Sequence, residues 1–428
     1  MWRKIGANFY HKIHFFANCP SISTSDTVSI ESSEMQRTSN QRNRHAPPTK
    51  QVQSPASLLR LKRGRGRGMI GALQPLPALD HTTRRPRDCP IAMISIIATV
   101  YNEGRTVRDL LDSILAQTLQ PDEIVIVDGG STDDTLEHLR AYEDRLPLRI
   151  IVQPGANISQ GRNRAIAEAR GDIIASTDAG VTLVPNWLED ITRPLREHPD
   201  VAVVSGFFIA APWTAFEMAL GAATLPDLSE IDPQTFLPSS RSVAFRKSAW
   251  EAVGGYPEWL DYCEDLVFDF ELRKRYGFFA WSPTAIAEFR PRRSLREFFW
   301  QYYRYARGDG KADLWRHRHA IRYGTYLVAA PALAVLGYRQ NRAFWLLGVL
   351  GFMGYLKRPY TRLMRAWERP LPGGIPLYFF EKAMTVGLIP LIRVVGDVAK
   401  MLGYPVGLWW RWQHRHEIPP HATDRDIR

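Results

Sequence analysis

The chain has 428 residues, of which 45% are hydrophobic and 11% aromatic, with 55 Lys/Arg against 44 Asp/Glu. That length and apolar content allow two or three domains with ample core and exclude a wholly disordered chain. Charge is unevenly spread: residues 1–90 hold 15 Lys/Arg and 5 Asp/Glu, residues 91–290 hold 17 and 30, and residues 291–428 hold 23 and 9, which excludes a nucleic-acid binder built on one basic face.

Residues 1–90 are polar and poor in periodic apolar positions, so a disordered basic tail is expected, with the Arg/Gly run at 61–68 a solvated stretch. No signal-peptide pattern is present in it. An apolar run, Ile94 to Val100, opens onto the polar turn Tyr101-Asn102-Glu103-Gly104. Val107, Leu110, Leu111, Ile114 and Leu115 then mark an amphipathic helix. A second apolar run, Ile124 to Val127, ends on Asp128 and a Gly-Gly-Ser-Thr turn. This is a βαβ unit with polar residues at both strand ends, where open α/β sheets bind ligands.

Ser131 or Thr132 can cap a helix running to about Leu146. Further strands are expected at 148–152, 172–177 (ending at Asp178) and 201–205, with helices at 158–169 and 186–198. The alternation implies the α/β class, with a largely parallel sheet between helical layers. Residues 206–240 read as irregular, either an acceptor-side loop or plain connection. Cys19, Cys89 and Cys263 are too far apart to suggest a disulfide framework or a zinc site, which fits a reducing cytosolic compartment.

The carboxyl-terminal part reads as helical and membrane-associated over 316–428. Residues 323–338 and 343–356 are uncharged runs, each shorter than the roughly 20 residues a spanning helix needs. Arg339 and Arg342 sit between them, so in-plane or re-entrant helices fit better than two spans. Trp409, Trp410 and Trp412 resemble an interfacial belt, and the basic charge suits an anionic membrane surface.

The motifs TVYNEG, IVDGGSTDDT, GRNRAI and STDAG, followed by Glu264-Asp265, occur in an order that resembles the family 2 glycosyltransferases over residues 93–290, and more weakly to 315. The resemblance implies an inverting enzyme with a GT-A fold, a Rossmann-like nucleotide-diphospho-sugar transferase domain at 91–315. Carried over residue by residue, it assigns Thr99, Tyr101, Glu103 and Asp128 to the nucleoside and Arg162 to the diphosphate. Asp265 becomes the general base, with Glu264 beside it on the acceptor side. The family usually shows Asp-x-Asp where this chain has Asp178-Ala179-Gly180. Asp178 alone is left to hold a divalent cation, Mg²⁺ or Mn²⁺, which keeps much of its hydration in any case, and a metal-independent site relying on Arg162 is the alternative. Gln301, Arg304 and Tyr305 resemble the Gln-x-x-Arg-Trp motif of the family, with Tyr305 in place of Trp. They share one helical face and would meet the acceptor.

The expected activity is transfer of a sugar from a nucleoside-diphosphate donor to an acceptor hydroxyl. The acceptor would be a glycan or lipid-linked, and the setting cell-envelope or exopolysaccharide synthesis at the cytoplasmic face of the membrane. Two alternatives stand beside it: transfer to a polyprenyl phosphate, which needs no base, and a catalytically weak nucleotide-sugar-binding protein. A dinucleotide oxidoreductase is disfavoured because no GxGxxG follows the first strand.

Overall fold

The structure, a computed structural model, describes residues 92–368, 371 and 377–421. The expected basic tail at 1–90 lies outside the described residues. All described residues belong to one compact unit.

Residues 94–289 build a sheet between two layers of helices. β1 (Ile94–Val100) leads through α1 (Val107–Leu115) to β2 (Glu123–Asp128), and α2 (Thr135–Arg140) leads to β3 (Leu148–Val152). α3 (Ile158–Glu168), β4 (Ile173–Ser176), β5 (Val181–Leu183), α4 (Trp187–Glu197) and β6 (Val203–Ala210) follow. Next come α5 (Ala215–Thr224), β7 (Val243–Arg246), α6 (Lys247–Val253), α7 (Glu264–Tyr276) and β8 (Ala280–Phe289). The strand order is β3-β2-β1-β4-β7-β6-β8-β5. β1 and β2 are buried almost end to end, which is why their sequences are continuous apolar runs rather than alternating ones.

The chain goes from β1 outward to β2 and β3, then returns to start β4 on β1's other side. That reversal opens a crevice at the carboxyl ends of β1 and β4. The sheet is mixed, not largely parallel as the alternation implied: β7 runs antiparallel to both β4 and β6, and β5 antiparallel to β8. α2 stops at Arg140, well short of Leu146. Neither Ser131 nor Thr132 caps it: the N-cap is Asp134, and Ser131, Thr132 and Thr135 bond the facing turn instead. Ser131 Oγ accepts from Asn102 N at 2.9 Å, and Thr135 Oγ1 accepts from Glu103 N and Gly104 N at 2.9 and 2.8 Å.

Residues 206–240 are more regular than their sequence suggested. β6 continues to Ala210, and α5 begins at the cap Thr214, whose hydroxyl accepts from Glu217 N. α5 carries no amphipathic period because it is buried on nearly every side. Its partners come from the carboxyl-terminal helices.

Those helices are α8 (Leu295–Ala312), α9 (Arg316–Gly324), α10 (Ala330–Arg339), α11 (Ala343–Ala366) and α12 (Phe379–Gln413). Met218 and Leu220 of α5, Phe298 of α8 and Ile389 and Ile392 of α12 form one buried cluster. Each such side chain contributes about 1.5–3 kcal/mol when withdrawn from water. α8 and α12 approach to backbone contact. A Cβ on Gly403 would stand 2.1 Å from Tyr303 O, and one on Gly407 would stand 2.1 Å from Arg307 O. Gly310 makes the matching notch on α8, 2.4 Å from Tyr404 O. Gly387, in the same helix α12, meets nothing within 4 Å.

These two glycines predict opposite signs for one substitution. Gly387→Ala should stabilise by about 0.5–1 kcal/mol through helix propensity. Gly407→Ala should destabilise by about 1–3 kcal/mol, because the added methyl forces the helices apart. Denaturant midpoints of the two variants check this, and a shift in the same direction for both would contradict the packing described.

Candidate functional site

At the carboxyl ends of β1 and β2 lies a cleft of about 180 Å³ lined by Thr99, Tyr101, Glu103, Gly129, Asn157 and Gly161, among others. Gly161 is required there, since a Cβ would come within 2.7 Å of Thr99 Cγ2. The start of α3 is fixed by a reciprocal cap in which Asn157 Oδ1 accepts from Gln160 N and Gln160 Oε1 accepts from Asn157 N. Asp128 is fully buried at the end of β2. Its carboxylate turns back on its own loop, accepting from Gly130 N at 3.1 Å, Ser131 N at 2.9 Å and the Ser131 hydroxyl. The neighbours of Asp128, Val127 and Gly129, line the cleft.

Arg162 is 2% exposed. Its Nη1 donates to Glu264 Oε1 at 2.5 Å and its Nη2 to Asp178 Oδ1 at 2.7 Å. The guanidinium also lies over the ring of Tyr256, 5.3 Å from the centroid. A residue placed by sequence at the diphosphate thus stands between two carboxylates, one at the end of β4 and one at the start of α7. Asp178 keeps its other oxygen 3.4 Å from Arg241 Nε and remains about a quarter exposed.

Asp265 is half-buried in the first turn of α7, and its Oδ1 accepts from Leu266 N at 2.9 Å. Burial raises its pKa, Arg162 and Arg241 pull it down, and the negative charge of Asp178 raises it again. A base tuned upward in this way is better matched to neutral pH than a free Asp. Glu264 is 6% exposed and also raised, first by burial and then by the charge of Asp265, against the pull of Arg162. Four residues beyond Asp265, Asp269 is 3% exposed, its Oδ2 has no hydrogen-bond partner, and burial holds it well above the usual carboxylate range.

Across the opening, burial raises Glu103, Thr106 pulls it down, and the like charge of Asp178 adds to the rise. Among the described residues no group of three His, Cys, Asp or Glu forms a metal-ligand set. The pair Asp178 and Glu103 suits a cation that draws its remaining ligands from phosphate oxygens and water.

Gln301 Nε2 donates to the Tyr305 hydroxyl at 2.9 Å, and Arg304 Nη1 reaches the Tyr262 hydroxyl at 3.5 Å. Tyr305 faces Arg241, which opposes the burial that raises the phenol. The sequence-predicted residues therefore form two groups: the cleft set, and a charged centre of Asp178, Arg162, Glu264 and Asp265 with Tyr305 at its edge. Two cations of this centre were not singled out from sequence. Arg241 precedes β7, and Arg292, exposed after β8, acts electrostatically on Glu103 and Tyr305. Arg241 reaches the site because β7 is antiparallel to β4, so its entry, not its exit, lies at β4's carboxyl end.

Residues 95–251 match the family described as Glycosyl transferase family 2. An uncharacterized glycosyltransferase of Escherichia coli (strain K12), YibD, is 35% identical over 26% of this chain and 32% of that protein. The succinoglycan biosynthesis protein ExoA of Rhizobium meliloti (strain 1021) is 29% identical over 52% of this chain and 70% of that protein. The O-antigen chain rhamnosyltransferase WbaN of Salmonella anatum is 30% identical over 40% of this chain and 58% of that protein. The chain thus spans about a third of YibD and over half of WbaN. Among solved structures, mannosyltransferase PcManGT from Pyrobaculum calidifontis, in complex with GDP-Man and Mn²⁺, is similar over 76% of this chain and 87% of that one. Its identity is 17% and its TM-score 0.44.

The charged centre makes a prediction about pH. Burial pushes Glu264 up to about 7 from an ordinary 4.5. Between those values the folded chain keeps a proton that the unfolded chain has released. Its contribution is fully present below about 4.5 and lost as pH rises through about 7. Asp265 and Asp269 act in the same direction. Glu264→Gln should therefore flatten the fall of unfolding free energy with pH between about 5 and 7. Urea midpoints across that window check it, and a slope as steep as that of the unsubstituted protein would contradict the assignment.

Proposed function

Because residues 95–251 make this chain a member of glycosyl transferase family 2, we propose that it moves a sugar from a nucleoside-diphosphate-sugar donor to an acceptor hydroxyl in one inverting displacement. The observation that carries this reading is Asp265: a half-buried carboxyl, tuned upward, at the head of α7 and beside Asp178, Arg162 and Arg241.

The nucleoside takes the cleft of Thr99, Tyr101 and Glu103, with Asp128 shaping the turn under it. Arg241 and Arg292 meet the diphosphate. Arg162, buried between Glu264 and Asp178, holds the site together rather than facing the ligand. A divalent cation, Mg²⁺ or Mn²⁺, would be held by Asp178 with Glu103 opposite and would offset the diphosphate charge. In the displacement the bond from the anomeric carbon to the phosphate oxygen breaks and the bond to the acceptor oxygen forms. The acceptor proton passes to Asp265, and the nucleoside diphosphate leaves against Arg241 and Arg292. Tyr305, with Gln301 behind it, and Arg304 border the acceptor side.

The acceptor is a glycan or lipid-linked, presented at the cytoplasmic face of a membrane on which 316–428 rests. Supporting this, Leu327, Trp345, Leu350, Trp409 and Trp412 are exposed on the carboxyl-terminal helices. Among the described residues one helical stretch, Arg316–Arg339, is long and apolar enough to cross a membrane. Succinoglycan and O-antigen synthesis in the named relatives support envelope or exopolysaccharide assembly as the setting.

Asp265→Asn should lower turnover by about 10²–10⁴-fold, the usual share of acid–base catalysis. Release of UDP or GDP from sugar nucleotides gives the rate, and thermal shift with UDP and GDP, with and without Mn²⁺, gives nucleotide affinity. Affinity should hold. Near-normal turnover would overturn the base assignment, and joint loss of rate and affinity would move Asp265 to the donor site.

A further inference from the structure

The turn before Asp265 is held from one side by α8. Asp261 accepts from Arg307 and from Lys311 Nζ, the latter at 2.7 Å. A Cβ on Gly308 would stand 2.7 Å from Tyr262 O and 2.9 Å from Cys263 Sγ, so turn and helix touch through backbone. Cys263, the residue preceding Glu264, is left-handed with φ 63° and ψ 20°. A non-glycine residue holds that conformation only where its surroundings fix it. The thiol is one of the contacts that fix it, beside the Asp261 ion pairs and the Gly308 backbone. It lies 3.3 Å from Tyr305 O and 3.4 Å from Asp309 Oδ1, and burial with the carboxylates around it pushes the thiol up, so that it stays a donor.

The other oxygen of Asp309 faces away from the site. Asp309 Oδ2 lies 3.0 Å from His319 Nε2, and His319 Nδ1 lies 3.1 Å from Arg322 Nη1. A guanidinium only donates, so Nδ1 accepts and Nε2 carries the proton that is given to Asp309. The ring is 2% exposed and stacks on Tyr404 of α12 at 3.8 Å. Arg322 Nε in turn donates to Asp397 Oδ1 of α12 at 2.8 Å. Asp397, Arg322, His319, Asp309 and Cys263 thus form one unbroken polar line from the carboxyl-terminal helices to the turn that aims Asp265. Glycosyl transfer as described uses none of these groups.

We propose that Asp309 is a positioning residue for transfer: it pins Cys263, and through Cys263 the head of α7, to the frame of α8, α9 and α12. The proposal rests on Asp265 being the base. A misplacement of the base by a fraction of an ångström weakens catalysis, while the cleft at the ends of β1 and β2 is lined by none of Asp261 to Asp265.

The test is steady-state release of UDP or GDP, using whichever of UDP-glucose, UDP-N-acetylglucosamine or GDP-mannose gives the largest thermal shift. The full chain is compared with Cys263→Ala, Cys263→Ser, Asp309→Asn and Asp265→Asn. Cys263→Ala and Asp309→Asn should lower kcat about tenfold or more with the donor KM unchanged. Cys263→Ser, whose hydroxyl still donates to Asp309, should stay within about threefold of the unsubstituted chain. Wild-type kcat in both Cys263→Ala and Asp309→Asn would overturn the proposal. So would a parallel loss of kcat, donor affinity and melting temperature that Cys263→Ser shares. Should Asp309→Asn fail to fold, the Cys263→Ala and Cys263→Ser pair decides alone. Full turnover by Asp265→Asn would instead show that the base assignment, on which the proposal rests, had failed.

Discussion

A guanidinium sealed from water must be surrounded by carboxylates, and Arg162 meets that requirement with two that are distant in sequence, Asp178 and Glu264. The pairing ties α3 to the end of β4 and to the head of α7. It fixes where the charged centre stands relative to the cleft at the ends of β1 and β2. Removing one partner of such a cluster costs about 3–5 kcal/mol, because the others are left buried and uncompensated. A well-packed apolar replacement for the whole cluster could be as stable. What the ions supply is position: the chain cannot satisfy Arg162 without bringing Glu264, and hence Asp265, to the crevice.

The same cluster sets the protonation of the site. Carboxyl groups outnumber guanidiniums around Arg162 and Arg241, and burial is the largest influence on each of them. Asp178, closest to two cations, is held below the usual range, whereas Glu264, Asp265 and Asp269 are pushed above it. Environments that separate neighbouring carboxyls in this way assign them different work. Asp178 stays charged, and Asp265 can take a proton.

The βαβ unit and the strand-end acids were legible because local signals carry them: continuous apolar runs for buried strands, and Asp128 and Asp178 where the runs stop. The head of α7 was legible from Glu264-Asp265 ahead of a helical pattern. The role of Arg162 was not, because its partners lie 16 and 102 residues away and no local pattern reports an ion pair of that span. Arg241 escaped for a topological reason, since only an antiparallel β7 presents its beginning to the crevice. α5 escaped because its small apolar residues face protein on all sides and show no period. Nothing local marks Gly310, Gly403 and Gly407 as the surface through which α8 and α12 meet, because the close approach shows only once the two helices are paired.

The proposed transfer is a single displacement at the anomeric carbon, with Asp265 taking the acceptor proton. The configuration of the transferred sugar distinguishes it from any two-step route. Proton NMR of the first product formed from a donor of known anomeric form should show the opposite configuration, because one displacement inverts the centre. Retention of the donor configuration would contradict the account, since it requires a second step or a nucleophile on the opposite face that this arrangement of Asp265, Arg241 and Asp178 does not provide.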